Sequence, residues 1–155
     1  MKRIYLIFLC FICLLLVGCT SSKTKEVGTL DTFQTVCVSN GLDCIDKLSD
    51  YQAQEVNYIT GAIKGTLDDL TIEMVVYDNE ENAKKAQSQH IASFMGMKGT
   101  AVTAHNEKGK NYKSFNMISN NYYMVSNRIE NTLIFSKTPL TNKDKIDKIL
   151  TEMGY

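Results

Sequence analysis

Apolar and polar residues alternate along this chain with a period that changes from one stretch to the next. Residues 30–40 place Phe33, Val36 and Cys37 at i, i+3, i+4 spacing, which predicts a short helix with one apolar face. Asp31 stands where a cap is expected, with Gln34 three residues on in capping-box position. Asn40-Gly41 predicts the stop, because glycine enters the left-handed conformation beyond a helix end at little cost. Leu42 is then expected to fold back on Cys37, as in a Schellman ending.

Residues 56–64 alternate with Val56, Tyr58, Thr60 and Ala62 on one face. Residues 70–77 alternate more strictly, Leu70, Ile72, Met74 and Val76 against Thr71, Glu73, Val75 and Tyr77. With a turn over residues 65–69, these predict an antiparallel hairpin. The period then lengthens. Asp78 and Glu81 have capping-box spacing, and Ala83, Ala86, His90, Ile91 and Phe94 form the inner stripe of a second helix. Residues 95–110 are weakly patterned and read as a long loop with a short strand at 100–104.

Residues 111–118 and 122–128 predict another hairpin around Ser119-Asn120-Asn121, since adjacent asparagines tolerate the positive φ angles of a type I′ turn. After a tight turn at Ile129-Glu130-Asn131, with Asn131 near left-handed geometry, residues 132–136 predict a strand apolar enough to be central. The last helix is expected to be capped by Thr141. It carries Ile146, Ile149, Leu150 and Met153 as its stripe and ends at Gly154, with Tyr155 returning to Leu150.

The predicted order is α-β-β-α-β-β-β-α. Strands joined by tight turns are antiparallel. The expectation is an α+β fold in a single domain over residues 29–155, with an antiparallel sheet of about five strands and helices packed on one face.

The start of the chain differs in kind. Lys2 and Arg3 precede an almost unbroken apolar run over residues 4–17. A spanning helix takes about 20 apolar residues to cross a ~30 Å hydrocarbon core, so this run has the length of a signal-peptide core instead. It ends in Leu16-Val17-Gly18-Cys19, which resembles the lipobox of a bacterial lipoprotein signal. The resemblance implies a signal peptide over residues 1–18, cleavage before Cys19 and a diacylglyceryl lipid on that cysteine. Such a chain sits lipid-anchored on the extracytoplasmic face of the cell membrane. Residues 19–28 then read as the lipidated cysteine and a flexible tether, whose last nine residues reach at most about 30 Å.

Seventeen basic residues balance seventeen acidic ones, and losing Lys2 and Arg3 leaves a slight acidic excess. That balance offers nothing to a nucleic acid. An extracytoplasmic compartment permits disulfides, and only Cys37 and Cys44 remain beyond Cys19. On a continuous helix the two would stand ~10.5 Å apart along the axis, whereas a disulfide needs Cα atoms within about 7 Å. Reversal at Gly41 would bring them together. A Cys37–Cys44 disulfide and two buried free thiols therefore both remain open.

Three further stretches carry a second resemblance: Tyr77-Asp78 with Glu80-Glu81-Asn82-Ala83, the segment Arg128-Ile129-Glu130-Asn131-Thr132-Leu133-Ile134, and Ile149-Leu150 with Gly154-Tyr155. Together they resemble a group of small extracytoplasmic lipoproteins of low-GC Gram-positive bacteria that share a domain of unknown function. This implies no activity, catalytic residue or cofactor.

The chemistry-bearing residues are sparse. His90 reads as a partly buried helix residue. His105 opens an H-x-E triplet without the P-C-x-x-C that completes a zinc deaminase site. No metal spacing, P-loop, G-x-S-x-G or H-E-x-x-H is present, so neither a metal nor a cofactor is expected. Asp68-Asp69 reads as a solvated turn. Arg128 reads as a strand end, with an exposed guanidinium gripping an acidic partner as the functional alternative. Tyr122 and Tyr123 point to opposite faces. The expected function is a non-catalytic binding or interaction module of the cell envelope, meeting another envelope protein or a ligand with one sheet face or the 95–110 loop. The alternative is an envelope enzyme or enzyme accessory whose site forms only on folding.

Overall fold

The computed structural model describes residues 23–99 and 102–155. The apolar run and Cys19 lie outside the described residues. Helix α1 (Leu30–Ser39) is capped by Thr29, whose hydroxyl accepts from Thr32 N at 3.2 Å, and not by Asp31. At its end Gly41 adopts φ +82°. The Gly41 N–H reaches Val38 O at 2.9 Å and the Leu42 N–H reaches Cys37 O at 3.0 Å, which are the two bonds of a Schellman ending.

The chain reverses there into a short strand β1 (Asp43–Asp46), followed by helix α2 (Leu48–Ala53), β2 (Ile59–Leu67) and β3 (Leu70–Tyr77). Helix α3 (Glu80–Gly96) leads to β4 (Val102–Lys108), β5 (Tyr112–Ser119), β6 (Tyr122–Ile129) and β7 (Thr132–Pro139). A 3-10 turn at Leu140–Asn142 opens into helix α4 (Lys143–Glu152). Helix α3 is capped by Asn79, which accepts from Asn82 N at 2.9 Å, rather than by Asp78. Helix α4 starts after Asn142 with no side-chain cap, so Thr141 does not cap it.

The class is α+β, but the expected order and strand number are corrected. Among the described residues the order is α-β-α-β-β-α-β-β-β-β-α, and seven strands form one antiparallel sheet in the order β1-β2-β3-β7-β6-β5-β4. The two strands outside the expected five are the sheet's edges, β1, which was not expected, and β4, expected only as a short strand at 100–104. β1 is four residues long with three of them exposed, and β4 is exposed throughout, so neither needs the apolar alternation that marks a half-buried strand. The hairpin turns are tight. Asn120 and Asn121 adopt φ 51° and 63°, as a type I′ turn requires, while Glu130 rather than Asn131 takes positive φ in the next turn.

Helices also cover both faces, not one. On the first face α1 and α4 pack Phe33, Cys37, Ile146, Ile149 and Leu150 against Ile63, Ile72, Met74, Val125 and Ile134. On the second face α2 and α3 meet Ala62, Val75, Tyr77, Leu133 and Phe135, and the end of α3 lays Phe94 on Phe115, Met117 and Met124. The contiguous apolar run Leu133-Ile134-Phe135 explains this arrangement. Neighbours on a strand point to opposite faces, so burying all three takes a helical layer on each side.

Two glycines on β2 set how closely α1 approaches. A Cβ on Gly61 would stand 2.5 Å from Leu30 Cδ1, and one on Gly65 would stand 2.9 Å from Leu42 Cδ2 and 3.1 Å from Cys37 Sγ. At the other end of the chain, Gly154 adopts φ +77° and the Tyr155 N–H bonds Leu150 O at 2.8 Å, while its ring packs against the core of the first face.

Candidate functional site

The second face of the sheet carries one row of side chains with unusual chemistry. Lys64 on β2 lies directly opposite Glu73 on β3, and Glu73 lies opposite Phe135 on β7. Helix α2 stands on one side of this row and sends the Tyr51 hydroxyl to Glu73 Oε1 at 2.6 Å. Helix α3 stands on the other and contributes His90 and Ser93. Beside α3, over β2, β3 and β7, lies a cleft of about 290 Å3 whose lining includes Lys64, Glu73, His90, Ser93, Phe135 and Lys137.

Each group in the cleft is positioned by the fold. The His90 ring meets the Phe135 ring edge-on, with centroids 4.2 Å apart and planes at 65°. Its Nδ1 is buried with no hydrogen-bond partner, and burial holds the imidazole pKa below its ordinary value. The ring is therefore neutral at pH 7. Glu73 is anchored by Tyr51, whose phenol pKa is pushed up by burial and then by this bond. Lys137 reaches away over the Tyr122 ring, 5.1 Å from its centroid. Lys64 has no carboxylate within 4.0 Å among the described residues.

A wider hollow of about 670 Å3 lies around Lys25, Asp78, Glu80, Lys110 and Glu130. Its chemistry is already engaged. Glu80 Oε1 accepts from Arg128 Nη1 at 2.9 Å and from Lys84 Nζ at 3.0 Å, and Arg128 Nη1 also donates to Glu130 O at 2.9 Å. The Lys25 backbone is held by Asn111 through two bonds, at 3.0 and 2.8 Å. Residues 23–25 thus lie against the domain rather than hanging free of it.

The structure brings one of the singled-out residues, His90, into the cleft and leaves the others elsewhere. Arg128 is 5% exposed, so the exposed guanidinium of the functional alternative is corrected to a buried tie between β6 and the first turn of α3. His105 lies on the exposed edge strand β4, opposite Asn116. That strand extends the short one expected at 100–104 to Lys108 and takes up seven of the residues read as a loop over 95–110. Asp69 is bound by Asn142 Nδ2 at 2.7 Å and is not merely solvated. Tyr123 is buried, with its hydroxyl on Asp147 at 2.7 Å, whereas Tyr122 is exposed. Cys37 and Cys44 are free thiols set side by side, and burial followed by its neighbour pushes the Cys37 thiol up to about 12. Among the described residues no group of three or more His, Cys, Asp or Glu could hold a metal ion, and no helix is long and apolar enough to cross a membrane.

The sequence contained a signal for Lys64 and Glu73 that a five-residue turn concealed. With the two-residue turn Asp68-Asp69 that the structure shows, Leu67 pairs with Leu70 and the register places 64 opposite 73. Gln87 was missed as well. It lies on the inner side of α3, 2% exposed, and donates to the carbonyls of Lys113 and Ser126, each at 2.8 Å.

No protein-family model matches the chain, and no curated protein matches it. Among solved structures it is similar to a crystal structure described as a GTP binding regulator from Thermotoga maritima, at 16% identity and a TM-score of 0.44, over 81% of this chain and 87% of that one. A likeness of that degree carries no functional argument.

Proposed function

We propose that this protein is a lipoprotein anchored through Cys19 to the extracytoplasmic face of a bacterial membrane, and that its domain is a non-catalytic binding module of the cell envelope. The anchor rests on Leu16-Val17-Gly18-Cys19 after its short apolar run. The observation that supports binding is the cleft between α3 and the sheet, where a lysine with no ion-pair partner among the described residues, an anchored carboxylate and an aromatic edge line one small hollow. Concave sites with a few convergent polar groups are where small ligands are held.

His90 and Glu73 in the same cleft are what an enzyme reading would use. Against that use, a general base is oriented by a second hydrogen bond, and His90 Nδ1 has none. Glu73 is already bonded to Tyr51. In this reading His90 is a wall of the cleft and Glu73 a binding group, neither of them a base.

The test is ligand capture. The full chain, purified from its own membrane, is equilibrated with a small-molecule extract of the medium and envelope, and what it retains is identified by mass spectrometry. Ser93→Trp fills the cleft from the exposed side of α3 and serves as the control. The expected result is a compound retained by the native chain and lost from Ser93→Trp. Equal retention by both, or none by either, would contradict a binding role for the cleft. The mass of the mature N-terminus in the same preparation tests the anchor, and an unmodified Cys19 would remove it.

A further inference from the structure

Lysine and glutamate directly opposite each other on antiparallel strands have Cβ atoms about 5 Å apart and ordinarily pair. Lys64 and Glu73 are so placed, yet no ion pair joins them. Tyr51 draws Glu73 toward α2 by a 2.6 Å bond to Oε1, and Lys64 stays without a partner carboxylate among the described residues. Two opposite charges are thus held open on the floor of a cleft of about 290 Å3, with Phe135 beside them in the same row.

We infer that this cleft binds the zwitterion of a free α-amino acid with an apolar side chain, its carboxylate on Lys64, its ammonium on Glu73 and its side chain against Phe135. The assignment rests on the reading of the cleft as a binding site. A simple anion would gain Lys64 but face Glu73, and a simple cation would meet the reverse. A molecule carrying both charged groups on one carbon satisfies each without leaving the other unpaired. A peptide spreads its terminal charges too far apart for neighbouring residues on two strands to take both. Lys137 also lines the cleft, with its Nζ drawn over the Tyr122 ring 5.1 Å from the centroid, and the neutral His90 adds an apolar edge rather than a further charge. The volume lies at the low end of ligand sites, which suits a molecule of amino-acid size.

Isothermal titration of the full chain in detergent tests this with L-leucine, N-acetyl-L-leucine, which lacks the ammonium, and L-leucinamide, which lacks the carboxylate. Charge-assisted bonds are roughly twice as strong as neutral ones, so each blocked form should bind at least about tenfold more weakly than leucine. Lys64→Met should erase the preference for leucine over leucinamide. Glu73→Gln, which can still accept from Tyr51, should erase the preference over N-acetyl-leucine. Blocked forms that bind as well as leucine, or no binding of leucine, isoleucine or phenylalanine at millimolar concentration, would overturn the inference, and the native chain alone gives both answers if a variant melts early. If leucine fails while another compound is captured by the native chain and lost from Ser93→Trp, the binding module stands and the amino-acid assignment falls.

Discussion

Arg128 on β6 places its Nη1 2.9 Å from Glu80 Oε1 in the first turn of α3, so the start of that helix is fastened to the sheet by a buried cation. The two partners are unequal, since the Arg128 side chain is 6% exposed and that of Glu80 42%. Glu80→Gln should therefore cost less than about 1 kcal/mol, as for an exposed pair. Arg128→Ala should cost about 1–3 kcal/mol, because it also loses the bond to Glu130 O and the packing of its stem. The Glu80 carboxyl is held below its ordinary range by the hydrogen bond from Lys84, against some desolvation, with the charges of Lys84 and Arg128 adding. Its contribution is thus full above an ordinary glutamate pKa of about 4.3 and fades as pH falls through the lowered value. Urea titrations of the native chain and Glu80→Gln should converge in strong acid. A gap that widens there would contradict the assignment.

His90 gives a second pH dependence in a different window. Burial lowers its pKa in the folded chain, while the unfolded chain takes up a proton near pH 6.5. Below that pH the unfolded state binds more protons, so stability falls as pH falls. His90→Gln removes the titration. The stability difference between the native chain and His90→Gln should shift against the native chain between pH 7.5 and pH 5.5, read from denaturation midpoints. A difference that stays constant across this interval would mean that the imidazole titrates freely.

Deleting Gly154-Tyr155 should lower the melting temperature. The Tyr155 N–H satisfies Leu150 O at 2.8 Å, and its hydroxyl meets Thr132 at the start of β7. Loss of these bonds and of a ring packed on the first-face core should cost about 1–3 kcal/mol. An unchanged melting temperature would show that the ending carries no load.

Cys37 and Cys44 should pair when the protein is isolated under oxidising conditions. Their thiols lie side by side because Gly41 turns the chain back and Cys44 then pairs with Gly65 on the neighbouring strand. The enclosed loop is short, so a disulfide should add no more than about 2–3 kcal/mol. In the reduced protein Cys44 should alkylate first, since Cys37 is fully buried and its thiol is pushed up to about 12. Non-reducing peptide maps decide the pairing, and two alkylatable thiols after oxidation would contradict it.

How far the sequence could be read depended on how each element is held. Helices α1 and α4 were legible because their apolar stripes and glycine endings point the same way, down to the bonds of Leu42 and Tyr155. The hairpin at Asn120-Asn121 was legible because few other residue pairs accept two positive φ angles. Strand β4 was legible only as a short strand at 100–104 inside a loop, because an edge strand exposed on both faces leaves no hydrophobic period to mark its length. Helix α2 was too short, at six residues, to show one. The second helical layer could have been inferred from Leu133-Ile134-Phe135, where three consecutive apolar residues call for cover on both sides of the strand. The cleft itself was hidden by register. Lys64 and Glu73 become neighbours only once the turn is known to be Asp68-Asp69.

The central claim is that the cleft holds a ligand and returns it unchanged. The most direct measurement is to incubate the compound captured by the native chain with catalytic and stoichiometric amounts of that chain and follow its mass over time. The account predicts saturable retention, release of the identical compound, and no difference in its fate between the native chain and His90→Gln. Conversion of the compound to a product that accumulates beyond one equivalent, and that fails to form with a folded His90→Gln, would contradict it and make the cleft an active site.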